Sequence, residues 1–263
     1  MKTIFVGLCA WILSPLGAAA AATVLVTGSD RGLGLEFVKQ YAARGDFVIA
    51  TCRHPDKAVQ LQAFAGEKKN VAVEALDVSD DSSIRALAAK YRGKPIDVLI
   101  NNAGVLGAHD DQTLGTFSRK GFEDVMDVNA FAPLAITEAL RDNIVSSKGK
   151  KVVAMTSGLG SIAVAGGMPK GPYYYRMSKA ALNMGMQALA ADLNSQGVSV
   201  AVVSPGVAET DMSIAFSAEY VGRKIRANAP AQSVAGMIAV IDKLEPSQGT
   251  KGILNFDGAI IPW

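Results

Sequence analysis

From Thr23 onward, short runs of Val, Ile and Leu alternate with stretches in which apolar residues recur every three or four positions. The runs at Thr23–Thr27, Phe47–Cys52, Val71–Leu76, Ile96–Ile100, Lys151–Thr156, Val198–Val203 and Gly252–Phe256 read as strands. They lack strict polar alternation, as strands buried on both faces do. Between them, Leu33–Arg44, a segment near Asp56–Ala65, Ser82–Tyr91, Phe122–Ile144, Arg176–Ser195 and Ala231–Leu244 carry the helical period. Gly45 and Gly197 stand where helices give way to strands, the usual place for a C-terminal cap. Strands alternating with helices predict a three-layer, doubly wound α/β fold around a parallel seven-stranded sheet. No repeat or linker interrupts the pattern, so residues 23–263 are expected to form a single domain.

Composition narrows the class. A chain of 263 residues with 49% hydrophobic content can bury a large core, and a net charge of +2 is too small to argue for nucleic acid as a partner. Two cysteines, Cys9 and Cys52, and two histidines, His54 and His109, supply neither a disulfide framework nor a metal-ligand spacing. No metal is expected. The first 22 residues differ from the rest: Lys2, an apolar run from Ile4 to Leu13, then Pro15 and an alanine tract. This pattern reads as a signal peptide, which implies export to a periplasmic or extracellular space and no membrane span after processing. An uncleaved anchor and a mis-assigned start, with a cytoplasmic protein, are the alternatives. Cleavage after Ala20 would leave the first strand whole.

That strand runs into Thr27-Gly28-Ser29-Asp30-Arg31-Gly32-Leu33-Gly34, and a helix begins inside the loop. Glycines there let the backbone approach a pyrophosphate, and a helix N-terminus offers N–H donors to it. The second strand ends at Cys52 followed by Arg53. An acid at that position accepts the ribose hydroxyls of NAD, so its replacement by Cys-Arg favours a 2′-phosphate and hence NADP(H). Arg31 is placed to clamp the phosphate from the other side; the lesser alternative is that both arginines are solvated surface residues.

The spacing Thr-Gly-x-x-x-Gly-x-Gly resembles the short-chain dehydrogenase/reductase family, and further segments agree in order. These are Asp77-Val78 after the third strand, Asn101-Asn102-Ala103-Gly104 after the fourth, Asn129 in the long helix, Ser157, Tyr175-Arg176-Met177-Ser178-Lys179, and Pro205-Gly206-Val207 with Thr210. Cys52-Arg53, Gly158-Leu159-Gly160-Ser161 and the closing Ile261-Pro262-Trp263 look like the C-factor and Sniffer-type carbonyl reductase branch. The resemblance implies a Rossmann fold. It also implies that Gly28, Ser29, Arg31, Gly32, Leu33, Gly34, Arg53, Asp77, Val78, Asn102, Ala103, Gly104, Tyr175, Lys179, Pro205, Gly206, Val207 and Thr210 bind the cofactor. Asn129, Ser157, Tyr175 and Lys179 are the implied catalytic set, with Asn129 holding a water in a proton relay to the lysine.

Reduction of a carbonyl needs a proton donor and a stabiliser of the developing alkoxide. Tyr175 is the candidate acid, and bringing a phenol from about 10 toward 7 takes about 4 kcal/mol of preferential stabilisation of phenolate. Lys179, four residues on along the same helix face, is expected to supply it. Tyr173 and Tyr174 lack a lysine at that spacing; Thr156 and Ser161 are rival hydroxyls to Ser157. Ile162, Val164, Met168 and the stretch from Met212 to Ala229, expected to be irregular, would roof an apolar pocket for a small carbonyl or alcohol substrate. The Ala180–Leu193 helix face could pair subunits in a homodimer or equally be core. Against the enzyme stands a non-enzymatic NADP(H)-binding signalling protein of the C-factor type, which would need none of the catalytic set.

Overall fold

The computed structural model describes residues 21–168, 170–245 and 250–263; of the leader read at 1–22, all but the last two residues lie outside the described part. Strands β1 (Thr23–Thr27), β2 (Phe47–Cys52), β3 (Val71–Ala75), β4 (Val98–Asn101), β5 (Lys151–Met155), β6 (Ser199–Ser204) and β7 (Ile253–Asn255) form one parallel sheet in the order β3-β2-β1-β4-β5-β6-β7. An eighth strand, β8 (Ile260–Ile261), pairs antiparallel with β7 through the turn at Asp257 and Gly258. The expected count of seven is therefore short by one. Two residues are too few to register as a hydrophobic run.

Helices α1 (Gly32–Ala43), α2 (Val59–Gly66), α3 (Asp81–Lys90), α4 (Arg119–Met126), α5 (Ala132–Ala139), α6 (Arg141–Val145), α7 (Tyr173–Asn194), α8 (Asp211–Phe216) and α9 (Pro230–Asp242) cover the two faces of the sheet. Successive strand residues point to opposite faces. Val24, Val26, Val48 and Ile100 pack with Phe37, Tyr41, Met237 and Ile241 of α1 and α9. Leu25, Ile49, Leu99 and Val152 pack with Ile136 of α5 and Leu182 and Met186 of α7. Each such side chain contributes about 1.5–3 kcal/mol on burial, so the two cores together fix the layers.

The helix expected over Phe122–Ile144 is not continuous. A five-residue π segment, Asp127–Phe131, separates α4 from α5, and α6 follows after Leu140. Pro133 explains the interruption: it has no N–H to return to the carbonyl four residues earlier, that of Asn129, so a regular ladder cannot run through. The stretch after Thr210, expected to be irregular, is helical over α8 and a π turn, Ser217–Val221. Thr210 caps it, accepting from the Ser213 N–H while the Ser213 hydroxyl accepts from its own. The Ala180–Leu193 face divides: Leu182, Met186, Ala190 and Leu193 are core, whereas Met184 points outward. No helix among the described residues is long and apolar enough to cross a membrane.

At the edge where the parallel strands begin, Asp97 gathers three backbone donors. Its carboxylate accepts from the N–H groups of Thr23 at 2.8 Å, Gly149 at 2.8 Å and Lys148 at 3.1 Å, tying the starts of β1 and β5 to β4. Asp97→Ala is expected to lower the unfolding free energy by about 2–4 kcal/mol, since charge-assisted bonds are lost and their donors stranded. Chemical denaturation would read this as a lower midpoint. A midpoint equal to wild type would mean that water replaces the carboxylate without cost.

Candidate active site

At the opposite edge the sheet order reverses between β1 and β4, which opens a crevice at the strand ends where α/β sheets accept ligands. Two loops meet there. The Thr27 hydroxyl accepts the N–H groups of Asn102 and Ala103, both at 3.0 Å, and the Asn102 amide donates to the carbonyls of Thr27 at 2.9 Å and Gly28 at 3.0 Å. Gly28 has φ +66°, and a Cβ on it would stand 2.9 Å from the Ala103 Cα. At Gly34 a Cβ would overlap the Gly28 carbonyl oxygen at 2.0 Å, so both positions admit only glycine. Helix α1 starts at Gly32, one residue before the expected Leu33, with no side-chain cap and no acid in its first turn. Its leading N–H groups therefore have no side chain competing with an anion.

Around this crevice the remaining cofactor candidates take distinct places. The Ser29 hydroxyl donates to Val26 O at 2.9 Å and its N–H to Thr51 O at 2.9 Å, so Ser29 braces the turn from inside. Arg31 is exposed and pairs with Asp30 at 3.2 Å and Asp211 at 3.8 Å. Arg53 is exposed directly after β2, next to buried Cys52. Asp77, after β3, accepts from the N–H and hydroxyl of Ser79 at 3.0 and 2.7 Å, while Val78 packs against the core. Pro205, Gly206 and Val207 follow β6, and Thr210 approaches the glycine loop, since a Cβ on Gly32 would lie 3.8 Å from its methyl. Arg53, Asp77, Val78 and Pro205–Val207 thus share the sheet edge with the Tyr175 group without being part of that cluster.

The catalytic candidates converge more tightly. Ser157 lies two residues beyond the end of β5, and its side chain is hydrogen-bonded to the Tyr175 hydroxyl. Lys179, one turn after Tyr175 on α7, has its Nζ 5.7 Å from the phenol ring centre and donates to Met155 O at 2.8 Å. Asn129 sits in the π segment, wholly buried: it accepts from Val105 N–H and donates to Val105 O, both at 2.8 Å, and donates to Ser178 at 3.0 Å. A Cβ on Gly104 would be 3.2 Å from Asn129 Oδ1 and 3.6 Å from Lys179 Nζ, which puts the loop after β4 at the same point. The rivals are occupied elsewhere. Thr156 donates to Asn183 at 2.7 Å and Ser161 to Pro262 O at 2.5 Å. Tyr173 and Tyr174 face Phe117 and Phe122 in a groove on the outer side of α7, of about 420 Å³.

Electrostatics correct one expectation. Tyr175 is not drawn toward neutrality: burial pushes its phenol up to about 12, with the Ser157 hydrogen bond as a lesser, opposing influence. Burial likewise pushes Lys179 down to about 8. Both groups are 8% exposed or less, so each loses the hydration that favours its charged form.

Next to the start of α7 lie contacts that the sequence does not announce. The ring of Tyr220 lies directly against Gly171, stacks with Phe216 at 5.6 Å and meets His109 at 4.9 Å, so three separate loops share one aromatic cluster. Gln112, also passed over, bonds to the start of α7. The available signal for it is indirect: Pro172 cannot cap α7 with a side chain, so the cap has to come from elsewhere.

Comparison with known proteins agrees with this geometry. The family model for short chain dehydrogenases matches residues 22–220. The chain is 33% identical over 246 residues to 1-hydroxy-2-glutathionyl-2-methyl-3-butene dehydrogenase of Rhodococcus sp. (strain AD45), covering 92% of this chain and 99% of that protein. It is 35% identical over 180 residues to the C-signal of Myxococcus xanthus, covering 68% of this chain and all of that one (100%). Among solved structures, the NADPH-bound carbonyl reductase from chicken fatty liver superposes with a TM-score of 0.81 at 28% identity, covering 92% of this chain and 99% of that one. A crevice at the sheet reversal, a glycine loop before α1 and the family model's match together settle the family: the chain belongs to the short-chain dehydrogenases.

Proposed function

We propose that this protein is an NADP(H)-dependent oxidoreductase that interconverts an aldehyde or ketone with the matching alcohol, with Tyr175 moving the proton. The observation that carries this reading is the buried meeting of Tyr175, Ser157 and Lys179 beside the loop after β4. A structural protein has no reason to bury a lysine whose ammonium faces one carbonyl and a phenol ring.

The crevice fits a nicotinamide dinucleotide. Gly28 and Gly34 bring backbone close where a Cβ would block it, and the uncapped start of α1 suits a pyrophosphate. Arg53, with no acid at the end of β2, suits the 2′-phosphate of NADP(H), and the NADPH-bound chicken enzyme is a relative with that cofactor. When bound, the cofactor supplies or takes the hydride. Tyr175, held as a neutral phenol, is the acid that a forming alkoxide needs, and Ser157 can donate a hydrogen bond to the same oxygen. Lys179 stands where its charge stabilises the phenolate left behind, and Met155 O fixes its ammonium. Asn129 joins the loop at Val105 to α7 at Ser178 and so holds the two halves of the site in register.

Tyr175→Phe is expected to lower carbonyl reduction about 10²–10⁴-fold while NADPH affinity stays within a few-fold, because only the proton donor is removed. Steady-state assays with a panel of carbonyls and fluorescence titration of NADPH would measure the two. Near-normal turnover would remove Tyr175 from the mechanism. A wild-type chain that binds NADPH yet reduces nothing in the panel would favour the signalling reading, which draws on the likeness to the C-signal.

Arg53→Ala should weaken NADPH binding about tenfold to a hundredfold and leave NADH binding nearly unchanged, the loss of one charge-assisted contact to phosphate. Arg31→Ala should have a smaller effect, since Asp30 and Asp211 already engage that guanidinium. Equal losses for both cofactors would show that neither arginine reads the 2′-phosphate.

The leader reading extends the proposal. The Asp46 carboxylate takes the Ala22 N–H at 3.0 Å and Asp97 takes that of Thr23 at 2.8 Å, so removal of residues 1–20 would leave both contacts in place. Intact-mass measurement of protein from the native host is expected to give a chain starting near Ala21 in an exported fraction. A chain starting at Met1 in the cytosol would overturn it.

A further inference from the structure

Helix α7 begins without a cap of its own. Pro172, at the cap position, has no side-chain acceptor, and no acidic residue stands in the first turn. The first four N–H groups of a helix need outside partners, and here they stand beside the proposed proton donor. The cap position is a proline with no N–H, so three remain, and one residue supplies all three. Gln112, fully buried in the loop between β4 and α4, accepts the Tyr174 N–H at 3.1 Å and the Tyr175 N–H at 3.2 Å on its side-chain oxygen. Its backbone carbonyl accepts the Tyr173 N–H at 3.4 Å, and the next N–H, that of Arg176, makes the first internal bond of the helix, to Pro172 O. The same side chain donates from Nε2 to Leu106 O at 2.8 Å. Leu106 lies two residues after Gly104, in the loop that Asn129 holds through Val105.

The amide is fitted to this place. Its oxygen faces only donors and its nitrogen faces a carbonyl, so all of its contacts are complementary in one orientation. At Gly107, with φ +82°, a Cβ would stand 2.7 Å from Nε2, so the chain is drawn in tightly around the amide. No purely apolar side chain could satisfy the two N–H groups, and a shorter amide could not span from Leu106 to Tyr175.

We propose that Gln112 is a positioning residue for the reaction: its amide caps the catalytic helix from outside and locks the turn that carries Tyr175 to the loop carrying Gly104. It acts through Tyr175, so it rests on the reading of Tyr175 as proton donor. Its influence should fall on kcat more than on cofactor affinity, because the glycine loop and Arg53 lie elsewhere on the crevice.

The test uses NADPH with para-nitrobenzaldehyde as the carbonyl probe and compares wild type, Gln112→Met, Gln112→Glu and Tyr175→Phe. Methionine keeps the shape and loses every hydrogen bond; glutamate keeps the acceptor for Tyr174 and Tyr175 and loses the donor to Leu106. Gln112→Met is expected to lower kcat at least tenfold with the NADPH dissociation constant within threefold, and Gln112→Glu to recover a substantial part of that loss. A residue that only filled space would rank the two in reverse, since methionine is easier to bury than a carboxylate. Wild-type kcat in Gln112→Met, or better turnover with methionine than with glutamate, would overturn the proposal. Should Gln112→Met fail to fold, Gln112→Asn, one methylene shorter, takes its place, and wild-type kcat in that variant would overturn it equally. Turnover retained by Tyr175→Phe would instead strike the proposed mechanism itself.

Discussion

Asn102 and Ala103 reach from the end of β4 to the end of β1 and close four hydrogen bonds on Thr27 and Gly28. These strands are neighbours in space yet far apart in sequence, because the sheet reverses its winding between them. Without the clamp the two loops would diverge and the crevice would have no floor. With it, the Gly28 carbonyl, the start of α1 and the loop through Gly104 are held at fixed separations. Gly34 can then pack on Gly28, and Gly104 comes within reach of Asn129 and Lys179. The rest of the candidate site is arranged around this joint.

The second constraint is desolvation. Tyr175 and Lys179 are buried together, and the loss of water moves both away from their charged forms, the phenol to about 12 and the amine to about 8. Such a pair favours the neutral phenol, the form that gives a proton to an alkoxide. On the proposed mechanism, running the reaction toward the carbonyl requires the phenolate, and among the described residues Lys179 and the Ser157 hydroxyl stand beside it to offset its charge. The π segment at Asn129 belongs to the same arrangement: Pro133 breaks the helical ladder there, and the Asn129 side chain accepts from the N–H of Val105 and donates to its carbonyl.

The approach to α7 is held by side chains rather than by the sheet. Tyr220, in the π turn after α8, stacks on Phe216, meets His109 and lies against Gly171. Gln112 directly follows the His109–Asp111 turn, so the loop after β4 touches both this aromatic cluster and the first turn of α7. A change in this loop would therefore reach Tyr175 from two directions.

The sequence by itself determined the layers and their order. Val24, Leu25 and Val26, with their counterparts in other strands, can be buried only between two sheets of helices, and β1 and β2 begin and end at the residues their apolar runs mark. Thr27 to Gly34 is likewise a contiguous loop whose glycines have a local steric reason, whereas the helical repeat only puts Tyr175 and Lys179 on one face and their roles come from the resemblance to the family. Pro133 already carried the interruption at Asn129, although the apolar period around it read as one helix. The family resemblance and the place of Ser157 after the fifth strand already favoured it among the hydroxyls, and the tertiary structure adds that Asn183 and Pro262 take its rivals Thr156 and Ser161. Burial reversed the expected direction at Tyr175, because hydration depends on everything packed around a group and not on the lysine four residues away. Gln112 was invisible for the same reason: its partners at Leu106, Tyr174 and Tyr175 become neighbours only when the loop after β4 folds over the start of α7. Local periodicity records what a segment buries, but the pairing of polar groups across the chain is settled by the packing that brings them together.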